Sequence, residues 1–263
     1  MDQLTSLPVG LLVVVSLAIT VSIAFGARVG VRRLVPVGEY DSVPHIAAPL
    51  MPALGGLFGI LMALTLASEA GYLKSAQDEI AGEAASASRL AWASTSPGVD
   101  SAAIQIKLQD YLALTRKDEW HGDAAEGGSP AVADALAALE RAVRADAARS
   151  EIGSPAATEL LASLDGLTMG RRQRLAAATR ELPILYVVTL IASGVALIAN
   201  AGALGLRSSL RTSLLVLGLA TVIGLSLALM FALSAPWRGG LIVSGQPIDS
   251  VIGDLRSGFF ESP

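Results

Sequence analysis

The sequence predicts an all-α integral membrane protein with four transmembrane helices and a helical-bundle polar domain between the second and third. Three observations carry this. Four apolar stretches, at 4–25, 46–68, 182–204 and 214–233, each approach the roughly 20 residues a helix needs to cross the hydrocarbon of a bilayer. With 52% hydrophobic and 16% charged residues and a mean hydropathy of +0.58, the 263-residue chain is too apolar for a soluble domain of its size. No stretch shows the strict alternation of a half-buried strand. The implied organisation is a first helix pair at 1–68, a polar domain at 69–180, a second helix pair at 181–235 and a tail at 236–263.

In the first stretch, Asp2 precedes the apolar run and Arg28, Arg32 and Arg33 follow it. A cleavable signal peptide carries its positive charge first, so this stretch reads as an uncleaved anchor. Pro36 and Pro44 mark the link over 26–45 as a loop. The second helix starts near Ile46. Past Glu69 leucine and valine give way to alanine and charge, yet no turn signal intervenes, so the helix is expected to continue toward Ser94 and stop before Pro97. A helix over 101–120 follows from Asp100 as N-cap and from Ile104, Leu108, Tyr111 and Leu112 on one face. Gly122 to Ser129 reads as a polar turn. The pairs Ser129-Pro130 and Ser154-Pro155 each open a helix in the cap-then-proline manner. Val132, Leu136, Leu139 and Val143 form the buried stripe of the first, and Leu160, Leu161, Leu164 and Leu167 that of the second. Residues 169–180 could carry the latter straight into the third span. These helices are expected to bury one another as a small bundle. In the tail, Pro247 starts an amphipathic helix with Ile248, Val251, Ile252, Leu255 and Phe259 on one side. Asp249 and Asp254 favour docking on the bundle over lying on anionic lipid.

Several classes of function fall away. The formal charge is -4 with both signs dispersed, which leaves no stripe for nucleic acid. Cysteine is absent, and the two histidines, His45 and His121, stand far apart in loop-like settings. No catalytic constellation, metal site or cofactor motif is expected, so an enzyme is the weaker class. The short basic links carrying Arg28, Arg32, Arg33, Arg207 and Arg211 favour the cytoplasm. A multi-pass protein of a bacterial inner (cytoplasmic) membrane is expected, with the polar domain outside the cytoplasm. The excess of arginine over lysine and the abundance of alanine fit a high-GC bacterial gene.

Candidate functional residues fall in two places. Gly55, Gly59, Ala63 and Ala67 recur every fourth residue in the second span. Such a ladder lets another backbone approach closely, either in helix packing within one subunit or at a subunit contact or pore face. Arg171, Arg172 and Arg174 crowd the approach to the third span. They are candidates for contact with lipid phosphate or for attracting anions. The spacing puts Arg171 and Arg174 on one face and spreads the set around the helix rather than into one clamp. Glu69, at the membrane exit of the second helix, is a possible charge partner for them. Asn200, inside the third span, is expected to hydrogen-bond a neighbouring helix.

Glu69-Ala-Gly-Tyr72, Arg171-Arg-Gln-Arg-Leu175 and Pro236-Trp-Arg-Gly-Gly-Leu-Ile-Val243 with Pro247 resemble the bacterial bestrophin-like family of four-span membrane proteins, distantly similar to bestrophin anion channels. The likeness covers nearly the whole chain. It implies a homo-oligomer, a pentamer being favoured, around a pore lined by the second helix. It also implies a cytoplasmic polar domain, the opposite of the charge-based orientation. Lipid and another membrane or envelope protein are the further partners considered. The alternative to an anion channel is a non-transporting scaffold whose helical domain binds an envelope protein or lipid.

Overall fold

The computed structural model describes residues 9–36, 38, 40, 42–121, 123–179, 183–204, 210–234, 237 and 243–261. Every regular element among them is a helix: α1 (Val9–Leu34), α2 (Val43–Ser94), α3 (Ser101–Asp118), α4 (Asp123–Gly127), α5 (Pro130–Ala147), α6 (Ser154–Ala178), α7 (Ile184–Leu204), α8 (Leu210–Leu233) and α9 (Gln246–Ser257). Two compact units form. One comprises Met1–Gly71 with Glu181–Leu241, the other Tyr72–Arg180 with Ile242–Pro263. Helices α1, α2, α7 and α8 are each long and apolar enough to cross a membrane.

The expected second helix is one uninterrupted element to Ser94, and it begins at Val43, so Pro49 and Pro52 both lie inside it. Elsewhere the boundaries move. Helix α1 runs to Leu34 and takes Arg28, Arg32 and Arg33 into the helix instead of leaving them in a loop. Arginine is a good helix former, and the first residue that must break the pattern is Pro36. Between α6 and α7 the chain is not continuous helix, since Pro183 precedes Ile184 and lacks the N–H a helix interior requires. The stretch read as a turn at Gly122 to Ser129 holds the short α4. Arg180, the link at 205–209 and the segment at 238–242 lie outside the described residues, as do Ala235 and Pro236.

In the first unit Phe58 and Met62 of α2 pack with Val187, Leu190, Leu197 and Ile198 of α7 and Ile223 and Met230 of α8. Helix α1 lies against α7 and α8 at glycine contacts. A Cβ added at Gly224 would sit 2.8 Å from Thr20 Oγ1 and 3.3 Å from Leu17 Cα, and one at Gly202 would sit 3.0 Å from the Ala24 carbonyl oxygen. Close approach through small residues is how spans associate where lipid removes the hydrophobic driving force. Thr20 satisfies its own hydroxyl within α1, donating to the Ser16 carbonyl at 3.0 Å. Asn200 Nδ2 donates to the Ala47 carbonyl at 2.8 Å, the interhelical bond its polarity predicted.

The second unit buries the stripes read from the sequence. Ile104, Leu108 and Leu112 of α3, Val132, Leu139 and Val143 of α5, and Leu160 and Leu167 of α6 are fully enclosed. Leu161 is not, at 39% exposed. Asp100 caps α3 by accepting from the Ala103 N–H at 3.1 Å. Helix α6 crosses close to α2 through Gly166 and Gly170. A Cβ on the latter would meet Glu83 Cα at 2.9 Å. The tail helix α9 packs on α3 and buries Ile248, Val251, Ile252 and Leu255. Arg116 Nε reaches Asp249 at 2.7 Å, and Trp120 Nε1 donates to the Val243 carbonyl at 3.2 Å. Phe259 does not continue the buried face. Helix α9 ends at Gly258, whose φ of 71° re-aims the chain, and Phe260 enters the core in its place.

Candidate functional site: an open helix face and a buried arginine cluster

Within the first unit α2 has two unlike sides. Phe58, Met62, Thr65 and Glu69, at spacings of four, three and four, are all buried. Away from them lie Gly55, Gly59, Ala63 and Ala67, of which Gly59, Ala63 and Ala67 are exposed and Gly55 half-buried. A Cβ built at Gly55 or Gly59 meets no atom of the described residues within 4 Å. Leu57, Ile60 and Leu64 beside them are about half exposed or more. The result is an apolar face on a membrane-length helix, lined by small side chains and, among the described residues, open at Gly55 and Gly59. Glu69 is only 3% exposed, on the packed side of α2.

In the second unit the arginines of α6 take different positions. Arg174 is fully buried. Its Nε donates to Glu83 Oε2 at 2.7 Å and its Nη2 to Glu119 Oε2 at 3.0 Å. Arg171 is largely buried and forks onto the same Glu119, with Nη2 at 2.5 Å from Oε1 and Nε at 3.2 Å from Oε2. The backbone N–H of Ser129 donates to Glu119 Oε1 at 2.7 Å, and Tyr111 Oη donates to Glu83 Oε1 at 2.6 Å. The Arg174 guanidinium lies 5.8 Å from the Trp120 ring, and Arg116 stacks over the same ring at 4.2 Å. Two of the three arginines therefore do form one clamp, around a carboxylate at the C-terminal end of α3. Arg172 alone among the three is exposed. The carboxylates that meet Arg171 and Arg174 are Glu119 and Glu83.

The electrostatics follow from this geometry. Two guanidinium and two carboxylate groups sum to zero formal charge, which is the condition for keeping ions away from water. Burial pushes the Glu119 carboxyl up, but the hydrogen bonds from Arg171, the Ser129 N–H and Arg174 outweigh it and hold the group below its ordinary value. Tyr111 is driven well above its usual range, first by burial and then by the adjacent Glu83 charge, so it stays a donor. Burial disfavours the Arg174 cation, yet Glu83 more than offsets that and its charge is permanent. Such a cluster fixes helices to one another. The sequence held one unused signal for it. Glu83 falls in register with Ile80, Ala87 and Leu90 on the buried side of α2, and a carboxylate at an apolar position needs a cation opposite.

Two solved structures, each a crystal structure of a membrane protein, one a glycine-to-alanine and one a proline-to-alanine variant, share the architecture. The first superposes with a TM-score of 0.73 at 12% identity, over 95% of this chain and 98% of that one. The second gives 0.68 at 10% identity, over 95% and 99%. At such identities the likeness is one of fold. No curated protein sequence matches the chain. The family model for the Bestrophin-like domain matches residues 18–248, the greater part of the four spans and of the polar unit between them, and the chain therefore belongs to the bestrophin-like family.

Proposed function

We propose that the protein is a homo-oligomeric channel-like membrane protein that passes small anions, with α2 lining the path. The observation that carries this reading is the open small-residue face of α2 at Gly55, Gly59, Ala63 and Ala67. A span that leaves such a face unpacked is suited to meet the same helix of another subunit or a water-filled path. Family membership supports it, and a pentamer is the assembly that likeness favours. Attraction of anions falls to Arg172, because Arg171 and Arg174 are neutralised by Glu119 and Glu83. Halide flux into liposomes holding the purified protein tests the proposal. Flux that is present in wild type and abolished in Gly59→Leu is expected, while an intact oligomer without flux would overturn it.

A second reading, a non-transporting scaffold, is favoured by an exposed aromatic patch on the polar unit. Trp92 and Phe259 are 51% and 58% exposed and meet edge to face at 5.7 Å between ring centroids. Sidedness is tested separately on this cysteine-free chain. On the charge argument, an impermeant reagent labels Ser129→Cys in whole cells and leaves Ser208→Cys, which lies outside the described residues, unlabelled. The reverse pattern puts the polar unit in the cytoplasm.

A further inference from the structure

We infer that the cleft between α3 and α5 of the polar unit binds an amino acid that carries a second carboxylate at the far end of an apolar spacer. Lys107, Asp110, Leu114 and Lys117 line the cleft from α3, around a volume of about 500 Å³. Ala131, Ala135 and Ala138 form the facing wall on α5. Small-molecule sites run to roughly 300–1,000 Å³, so the cleft has room for such a ligand.

The order of the charges fixes the ligand class. The α3 residues follow one another at spacings of three, four and three, and therefore share one face of the helix. At the helical rise, Asp110 stands about 5 Å along the axis from Lys107, and Lys117 about 10 Å beyond Asp110. One end of the cleft thus offers a cation and an anion side by side, and the other end a cation alone. Leu114 lies between them, and the α5 wall presents alanines only. Among the described residues, none of the Lys107, Asp110 and Lys117 side chains has an ion-pair or hydrogen-bond partner. A carboxylate and an ammonium on one carbon match the first end, and a distal carboxylate matches Lys117. A methylene chain between them lies on the alanines and Leu114. The charges balance, since two lysines and one aspartate leave one positive charge and this ligand brings one negative. A simple dianion would instead set a carboxylate against Asp110. The site belongs to the polar unit and does not depend on whether the protein conducts ions.

Isothermal titration of the detergent-solubilised full chain with α-aminosuberate tests it. The controls are suberate, which lacks the ammonium, and α-aminocaprylate, which lacks the distal carboxylate. Binding of α-aminosuberate about tenfold tighter than either control is expected, the lower end of what one hydrogen bond to a charged group supplies. Lys117→Met removes the advantage over α-aminocaprylate and leaves binding of α-aminocaprylate itself unchanged. Asp110→Asn removes the advantage over suberate. Both positions are exposed, so these variants keep the wild-type melting temperature. Ala135→Leu fills the cleft without touching a charge and weakens all three ligands. Equal binding of the three by wild type, or binding of none, overturns the proposal. Suberate bound as tightly as α-aminosuberate would make this a site for simple dianions and overturn the zwitterionic head. An advantage that survives both Lys117→Met and Asp110→Asn places the ligand elsewhere and overturns the assignment to this cleft.

Discussion

Replacing Arg174 by methionine removes the one cation that touches both buried carboxylates. Three hydrogen bonds go with it, to Glu83 at 2.7 Å, to the Glu119 carboxylate at 3.0 Å and to the Glu119 carbonyl at 3.4 Å. Glu119 retains Arg171 and the Ser129 N–H, while Glu83 retains the Tyr111 hydroxyl. The charge sum of the cluster moves from zero to one uncompensated negative charge, held where neither carboxylate has any solvent exposure. Breaking a buried pair from one side costs about 3–5 kcal/mol. For a unit of this size that is a fall in Tm of about 10 °C or more. The assay is thermal unfolding of the full chain in detergent, read by helical circular dichroism and by tryptophan emission, to which Trp92, Trp120 and Trp237 all contribute. The second half of the test is Glu83→Gln combined with Arg174→Met. Removing the orphaned charge should return about 2 kcal/mol, so the double variant is more stable than Arg174→Met alone. A pH series adds a sign. Glu119 titrates below its ordinary value, so its contribution is present above the unfolded value and is lost as pH falls through the folded one. Arg174→Met weakens that contribution, and its deficit against wild type therefore narrows as pH drops below the carboxyl range. A loss under about 1 kcal/mol, or a double variant no better than the single, would refute ion pairing and leave only packing.

Two further outcomes are expected. Gly170→Ala puts a methyl 2.9 Å from Glu83 Cα, forces α6 from α2 and destabilises by about 1–3 kcal/mol in the same melting assay, whereas Gly59→Ala, with open space around it, leaves Tm unchanged or slightly raised. Asn200→Leu removes the bond to the Ala47 carbonyl and costs about 0.6–2 kcal/mol of resistance to unfolding in detergent titration, with no loss if the amide bonds lipid or water instead.

Much of the architecture was legible because it is local. Span length, the cap at Asp100, the prolines at 130 and 155 and the apolar registers of α3, α5 and α9 each depend on residues a few positions apart. What stayed hidden depends on distance along the chain. Glu83 and Arg174 are separated by 91 residues, and Glu119 and Arg174 by 55. Periodicity places each on a face but does not say which face meets which, so the clamp was read as dispersed charge. The same holds for Gly170, which looks like a helix defect until Glu83 is found beside it. The open face of α2 was the easier half of the candidate site, since a four-residue ladder of small side chains is visible in one helix. Its meaning in an assembly is not a local property.

The pairing of α1 with α8 has a temporal consequence. Arg28 and Ser213 lie 185 residues apart, and a ribosome adding about 5–20 residues per second needs roughly ten to forty seconds to cover that interval. Helix α1 therefore leaves the ribosome well before α8, against which it packs, has been synthesised. Arg28 must be accommodated through that wait without its bond to Ser213.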